Sequence, residues 1–198
     1  MAMPQRQATI ERKTKETQIR VAVNLDGSGD ARIQTGIPFM DHMLTLFAGH
    51  SLIDLEVKAA GDLEVDQHHT VEDLGITLGQ ALLKALGDKQ GIVRYGWSLL
   101  PMDESLVETA LDVSGRPYLA YGLKLRQKRV GHFDTELAEE FLRGLVNSCG
   151  LTLHVMQSAG GNTHHLIEAA FKGLGRAMRQ ALALDPRQKG VPSTKGKL

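Results

Sequence analysis

The sequence holds one cysteine, Cys149, so no disulfide can form within the chain. That fits a reducing cytoplasm as the expected setting. Cys149 ends an apolar run before Gly150 and reads as a buried structural thiol, not a nucleophile. No stretch approaches about 18 consecutive apolar residues, which excludes a membrane-spanning helix. Neither sign of charge is in excess: Lys plus Arg and Asp plus Glu each number 23, for a net charge of zero. This weighs against a nucleic-acid or membrane-surface role and leaves the chain free to associate with copies of itself. The opening MAMPQRQATIERKTKET has no apolar core, so no signal peptide is expected. LDGSGD (25–30) lacks the strand-to-helix context of a phosphate loop.

What the chain does contain is one motif written twice. His68-His69-x-x-Glu72 recurs as His164-His165-x-x-Glu168, 96 residues later. Each copy opens an apolar pattern of helical period. Residues 68–86 match 164–182 at eight of 19 positions, where chance gives about one. Two copies mean an internal duplication. On a helix, adjacent residues point about 100° apart, so the paired histidines diverge, and the glutamate can share a face with only one of them. Each copy thus offers ligands in two directions. The economical arrangement is two metals, each drawing on both copies or on neighbouring subunits. Imidazole plus carboxylate suits manganese, iron, cobalt, nickel or zinc. The order is neither that of a zinc protease nor that of a di-iron bundle.

Around the motifs, 17–24, 31–35 and 52–61 read as strands and Pro38–Gly49 as a helix. LDGSGD reads as a hairpin turn with 31–35 returning. The second half reads as strands 95–100, 105–113 and 117–125, a helix Thr135–Cys149, a strand 151–157 and a helix from His164. Each half is expected to run strand, strand, helix, strand, helix. The fold class is α+β: internally duplicated, with two mainly antiparallel β-sheets, helices packed against them and a pseudo-twofold repeat. One domain spans 1–198, built of repeats at about 9–93 and 94–184. The tail 185–198 ends in a small, polar, basic stretch expected to be flexible.

His42, in IPFMDHML, has Glu140 as its counterpart at an offset of 98. A metal-capable residue at both places suits a two-site duplication, although Glu140 could equally be a solvated helix residue. His50 reads as a helix-end cap, His154 as a semi-buried strand histidine, and His132 shows no partner. Arg94, Arg116, Lys172 and Lys195 taken singly read as surface charge, and Asp103 and Glu104 as exposed turn acids.

Together, KET (15–17), FMDHML (39–44), HHTVED (68–73), PMDE (101–104), SGRPY (114–118), TLHV (152–155), HHLIEAAFK (164–172) and PSTKG (192–196) make the chain resemble the imidazoleglycerol-phosphate dehydratase family over nearly its full length. The resemblance is to the monofunctional form, for which no fused phosphatase is expected. The resemblance implies halves like ribosomal protein S5 domain 2. It implies a cytoplasmic lyase (hydro-lyase) of histidine biosynthesis, converting imidazole glycerol phosphate to imidazole acetol phosphate and water through a metal-stabilised imidazolate. It also implies two manganese ions per active site, and trimers assembling into a homo-oligomeric 24-mer with ligands from different subunits. No nucleic acid or membrane partner is implied.

By matching position, His42, His68, His69, Glu72, His164, His165 and Glu168 carry over as metal ligands. At position 140 many relatives have histidine and this chain has Glu140, a carboxylate in place of an imidazole. Arg94, Arg116, Lys172, Ser193 and Lys195 carry over as phosphate contacts, and Glu16 and His50 as residues near the substrate. Glu168, Glu72 and Glu16 are the candidates to move protons. The same ligands would also serve a two-metal hydrolase or a metal buffer, but a buffer has no need of phosphate-binding cations.

Overall fold

A computed structural model describes residues 6–198, so the first five residues of the stretch read above as lacking a leader lie outside the described residues. The first half is β1 (Gln7–Lys13), β2 (Thr17–Asn24), β3 (Ala31–Gln34), α1 (Pro38–Ser51), β4 (Asp54–Gly61) and α2 (His68–Leu86). The second is β5 (Tyr95–Met102), β6 (Ser105–Asp112), β7 (Tyr118–Gly122), a short β8 (Arg129–Val130) and β9 (Phe133–Asp134), α3 (Leu137–Cys149), β10 (Thr152–Ala159) and α4 (Thr163–Leu182).

The halves form two sheets of the same plan, β1-β2-β4-β3 and β5-β6-β10-β7. In each, only the last pair is parallel, β3 on β4 and β7 on β10. Asn24 stands opposite Asp54, and Asp112 opposite Thr152, at the same station of the two sheets. The fold is therefore the duplicated α+β arrangement expected from the sequence.

Period-two alternation gives each sheet one apolar face. Ile19, Val21 and Val23 of β2, and Val107 and Leu111 of β6, are buried. Each such side chain contributes about 1.5–3 kcal/mol of transfer energy. The helices cover these faces and interleave the halves: α2 lies on β1 and β2 but pairs with α3, and α4 lies on β5 and β6 but pairs with α1. Glycine permits both pairings. A Cβ on Gly79 would lie 2.6 Å from the Leu145 carbonyl oxygen and 2.8 Å from Ser148 Cβ. A Cβ on Gly175 would lie 2.8 Å from the Phe47 carbonyl oxygen and 3.0 Å from His50 Cβ. The two crossings are copies of each other, with Ser148 standing where the first half has His50.

Several elements differ from expectation. Three strands, not two, precede α1, because β1 is an edge strand whose QATIERK alternation is mostly polar, and the short β8 and β9 follow the three strands read before α3. β2 and β3 are not a hairpin: β4 lies between them. The Asp54 carboxylate accepts from the backbone N–H of Ser28, Gly29 and Asp30 at 2.7–3.1 Å, and so holds the 25–30 turn across the sheet end. β7 stops at Gly122, after which the Lys124 N–H donates to the Gln157 side chain. His154 is exposed, its ring 5.6 Å from that of Tyr118, rather than semi-buried. Cys149 is buried, and burial pushes its thiol up to about 12. No helix of the described residues is long and apolar enough to cross a membrane.

Candidate active site

Side chains at equivalent places start both motif helices. The Asp66 carboxylate accepts from the His68 N–H at 2.7 Å. The Asn162 side chain accepts from the N–H groups of His164 and His165 at 3.0 and 3.3 Å. These bonds satisfy donors that the first helical turn leaves free and fix the paired histidines at the helix mouth. Their rings diverge as the geometry requires, at 88° for His68 and His69 and 85° for His164 and His165.

In the second copy, the first histidine and the glutamate turn inward onto α1. His164 Nε2 lies 3.0 Å, and His42 Nε2 3.4 Å, from the same Glu168 carboxylate oxygen. Ligand atoms of His42, His164 and Glu168 all fall within 4.8 Å of one another. Glu168 is 6% exposed, and its other oxygen pairs with Lys172 Nζ at 2.5 Å. Burial alone would raise this carboxyl, but Lys172, His164 and His42 outweigh it and hold the group below its usual range. Phe39 braces the His164 ring edge-on and is itself packed against Phe133 of the β8–β9 hairpin. His50, on the next turns of α1, is held below the usual histidine range by burial, then by Lys172 and Arg176. A buried carboxylate with two imidazoles converging on one oxygen is a donor set that fits a divalent transition metal.

The first copy is looser. His68 Nε2 is 3.9 Å from Glu72, and the Glu140 carboxylate lies 3.8 Å from Arg143. Among the described residues, this trio does not draw together as the other does. His69 and His165 point elsewhere, their Nδ1 atoms 3.0 Å from Asp62 and 2.8 Å from Glu104. Each histidine is raised above its usual range, first by that hydrogen bond, and Glu104 is lowered to about 2 with His165 as the main cause. Sequence reasoning missed both acids. Glu16 is exposed at the β1–β2 turn.

The remaining candidates gather at the opposite end of α4. The Arg94 N–H donates to the Ala181 carbonyl, near the helix C-terminus. The Arg94 guanidinium pairs with Asp112 through Nε at 2.7 Å and Nη2 at 3.0 Å, and Nη1 donates to the Pro192 carbonyl at 2.9 Å. Arg116 reaches the same Asp112 at 3.8 Å. The tail thus carries Ser193 and Lys195 to this end, and the Ser193 hydroxyl accepts from the Lys195 N–H at 3.2 Å. Glu168 and Ala181 are thirteen residues apart on one helix, or about 20 Å. Within one chain, then, Lys172 and His50 adjoin the His/Glu cluster, while Arg94, Arg116, Ser193 and Lys195 stand a helix length away.

Fold and site define a duplicated α+β enzyme, with a histidine–glutamate cluster at one helix mouth and a separate group of cationic side chains. The profile of the imidazoleglycerol-phosphate dehydratase family matches residues 35–178. The chain is 65% identical to the imidazoleglycerol-phosphate dehydratase of Moorella thermoacetica over 191 residues, covering 96% of this chain and 97% of that protein. It is 62% identical to that of Desulforamulus reducens, covering 99% and 100%. The crystal structure of the Staphylococcus aureus dehydratase superposes with a TM-score of 0.83 at 44% identity, covering 90% of this chain and 99% of that one. The Pyrococcus furiosus dehydratase, solved in complex with (S)-C348, also gives 0.83, at 39% identity, covering 96% and 100%. The chain belongs to the imidazoleglycerol-phosphate dehydratase family and is a hydro-lyase.

Proposed function

We propose that this chain removes water from imidazole glycerol phosphate to give imidazole acetol phosphate, in cytoplasmic histidine biosynthesis, with two manganese ions per active site. The observation that carries the reading is the convergence of His42, His164 and Glu168, two ligands from the second motif and one from the helix packed beside it. His68, Glu72 and Glu140 are the matched set of the first motif, and His69 and His165 are the ligands offered to neighbouring copies. When bound, such a metal supplies Lewis-acid chemistry toward the imidazole ring of the substrate.

The chain's own groups take the remaining roles. Lys172 is committed to Glu168 and sets its charge. Glu168 is engaged by three side chains, whereas Glu16 is exposed with no side-chain hydrogen bond among the described residues. This favours Glu16 over Glu168 as the group that moves the carbon-bound proton, because a carboxylate with free lone pairs is the better base, and Glu72 is taken up as a metal ligand in this reading. Arg94 spends three N–H donors on Asp112 and Pro192 and keeps two for a phosphate. Arg116, Ser193 and Lys195 complete that anchor. His50 borders the substrate beside Lys172.

A separation of about 20 Å along one helix is too long for a single-ring triose phosphate to bridge. This supports a site in which the cluster of one copy meets the anchor of another, as in trimers building a 24-subunit shell. The test is turnover by chelator-stripped protein before and after manganese is restored. Loss and recovery of imidazole acetol phosphate formation supports the reading; a metal-loaded oligomer with no turnover refutes it.

A further inference from the structure

We infer that Glu104 and Asp62 are a matched pair of positioning residues that fix the ring tautomer of His165 and His69, so that each histidine presents Nε2 as its metal-binding nitrogen. This rests on the manganese reading above.

Glu104, in the β5–β6 turn, takes His165 Nδ1 at 2.8 Å. The same carboxylate accepts from the Asn162 N–H at 3.0 Å and from Ser105 Oγ at 2.8 Å. It therefore ties the turn, the cap of α4 and the ring into one unit. A carboxylate can only accept, so Nδ1 carries the proton and the lone pair stays on Nε2. Asp103 is the other acid nearby, 3.9 Å from Nε2 and 80% exposed, outside hydrogen-bond range. Asp62, in the β4–α2 loop, does the same for His69, with Nδ1 at 3.0 and 3.3 Å from its two oxygens.

The two anchors do not come from equivalent places. Thr17 opens β2 as Ser105 opens β6, so Glu16 is the repeat partner of Glu104. In the first half, Asp62 has taken over the anchoring task, and its own N–H donates to the Glu16 carbonyl at 3.1 Å. The exchange leaves the Glu16 carboxylate unengaged. The duplication has thus assigned one turn glutamate to holding a ligand and left the other free.

A carboxylate behind a ligating imidazole sets its orientation and basicity, and losing it weakens metal binding by about 10–100-fold. The experiment is calorimetric titration of stripped, full-length oligomer with Mn2+, comparing wild type with Asp62→Ala, Asp62→Asn, Glu104→Ala, Glu104→Gln and His165→Ala. Thermal unfolding of each stripped protein checks folding. Both alanine variants are expected to bind at least one class of Mn2+ about 10–100-fold more weakly. Asn and Gln keep an acceptor oxygen and are expected to recover most of that loss. If His165→Ala loses a class of sites while folded Asp62→Ala and Glu104→Ala both bind like wild type, the inference is wrong and the metal reading stands. If the wild type takes up no Mn2+, both fall. Should Glu104→Ala fail to fold, Asp62→Ala against Asp62→Asn decides alone.

Discussion

Glu140 stands on α3 where His42 stands on α1. The matched crossings at Gly79 and Gly175 put α3 on α2 as α1 lies on α4. The His42 imidazole closes on Glu168 at 3.4 Å, whereas the Glu140 carboxylate faces Arg143 at 3.8 Å. The two metal sites proposed here are thus unequal in charge and in closure. Glu140→Gln is expected to lower metal retained after dialysis by the share of one site, with the His42 site spared. Glu140→His, which restores the residue of the other half, is expected to retain both. Metal content per chain by elemental analysis checks this.

The helix crossings give a second expectation. A methyl group at either Gly79 or Gly175 meets backbone atoms that cannot rotate away. Each alanine variant should lose about 1–3 kcal/mol of stability, read by thermal unfolding. Gly175→Ala should also cut turnover out of proportion to that loss, because the helix it displaces carries His42 and His50. Gly79→Ala displaces α3, which carries Glu140 but has Ser148 where α1 has His50, so its effect on turnover should come through the first-motif site alone.

Much of the site was legible in the chain. The doubled HHxxE, its diverging histidines, and the sharing of a face by the glutamate with one histidine follow from helical period alone; that this histidine is His164 comes from the structure. The task of Glu104 did not. A turn acid looks solvated in sequence, and its partner His165 is 61 residues away. The register that links Glu16 to Glu104 is carried by strand alternation, which preserves pattern and not identity. β3 misled for a related reason. A Gly/Asp-rich turn between two strands reads as a hairpin, and nothing local reveals that Asp54 captures the turn and lets β4 pass between.

Asp54 therefore has a pH signature. Backbone N–H of Ser28 is the main cause holding its carboxyl below the usual value of 3.8. A depressed folded value means the stabilisation is present above 3.8 and is lost as pH falls through the lower folded value. Asp54→Asn should cost about 1 kcal/mol at neutral pH, because partial exposure keeps it below the usual range for charged hydrogen bonds. The difference from wild type should shrink toward zero on acidification below the folded value. Urea unfolding at neutral and strongly acidic pH measures both.

Asp112 holds the Arg94 guanidinium, to which the proposed function gives the phosphate. Its two-point pairing with Asp112 uses the planar fork of the guanidinium, which an ammonium cannot reproduce. Arg94→Lys is expected to raise KM for the phosphate substrate by about tenfold or more. It should change kcat less, because the proposed site puts the reacting ring at its other end. Steady-state kinetics separates the two, and an unchanged KM would remove Arg94 from the anchor.

The separation of cluster from anchor within one chain is the centre of this account, and subunit mixing tests it directly. His164→Ala loses the cluster and Arg116→Ala weakens the anchor, so each alone should be nearly inactive. When the two are co-expressed and assembled together, some sites pair an intact cluster from one copy with an intact anchor from its neighbour, and dehydratase turnover should return well above the sum of the parents. Mixed oligomers of proven two-chain composition that stay as inactive as their parents would contradict a shared site.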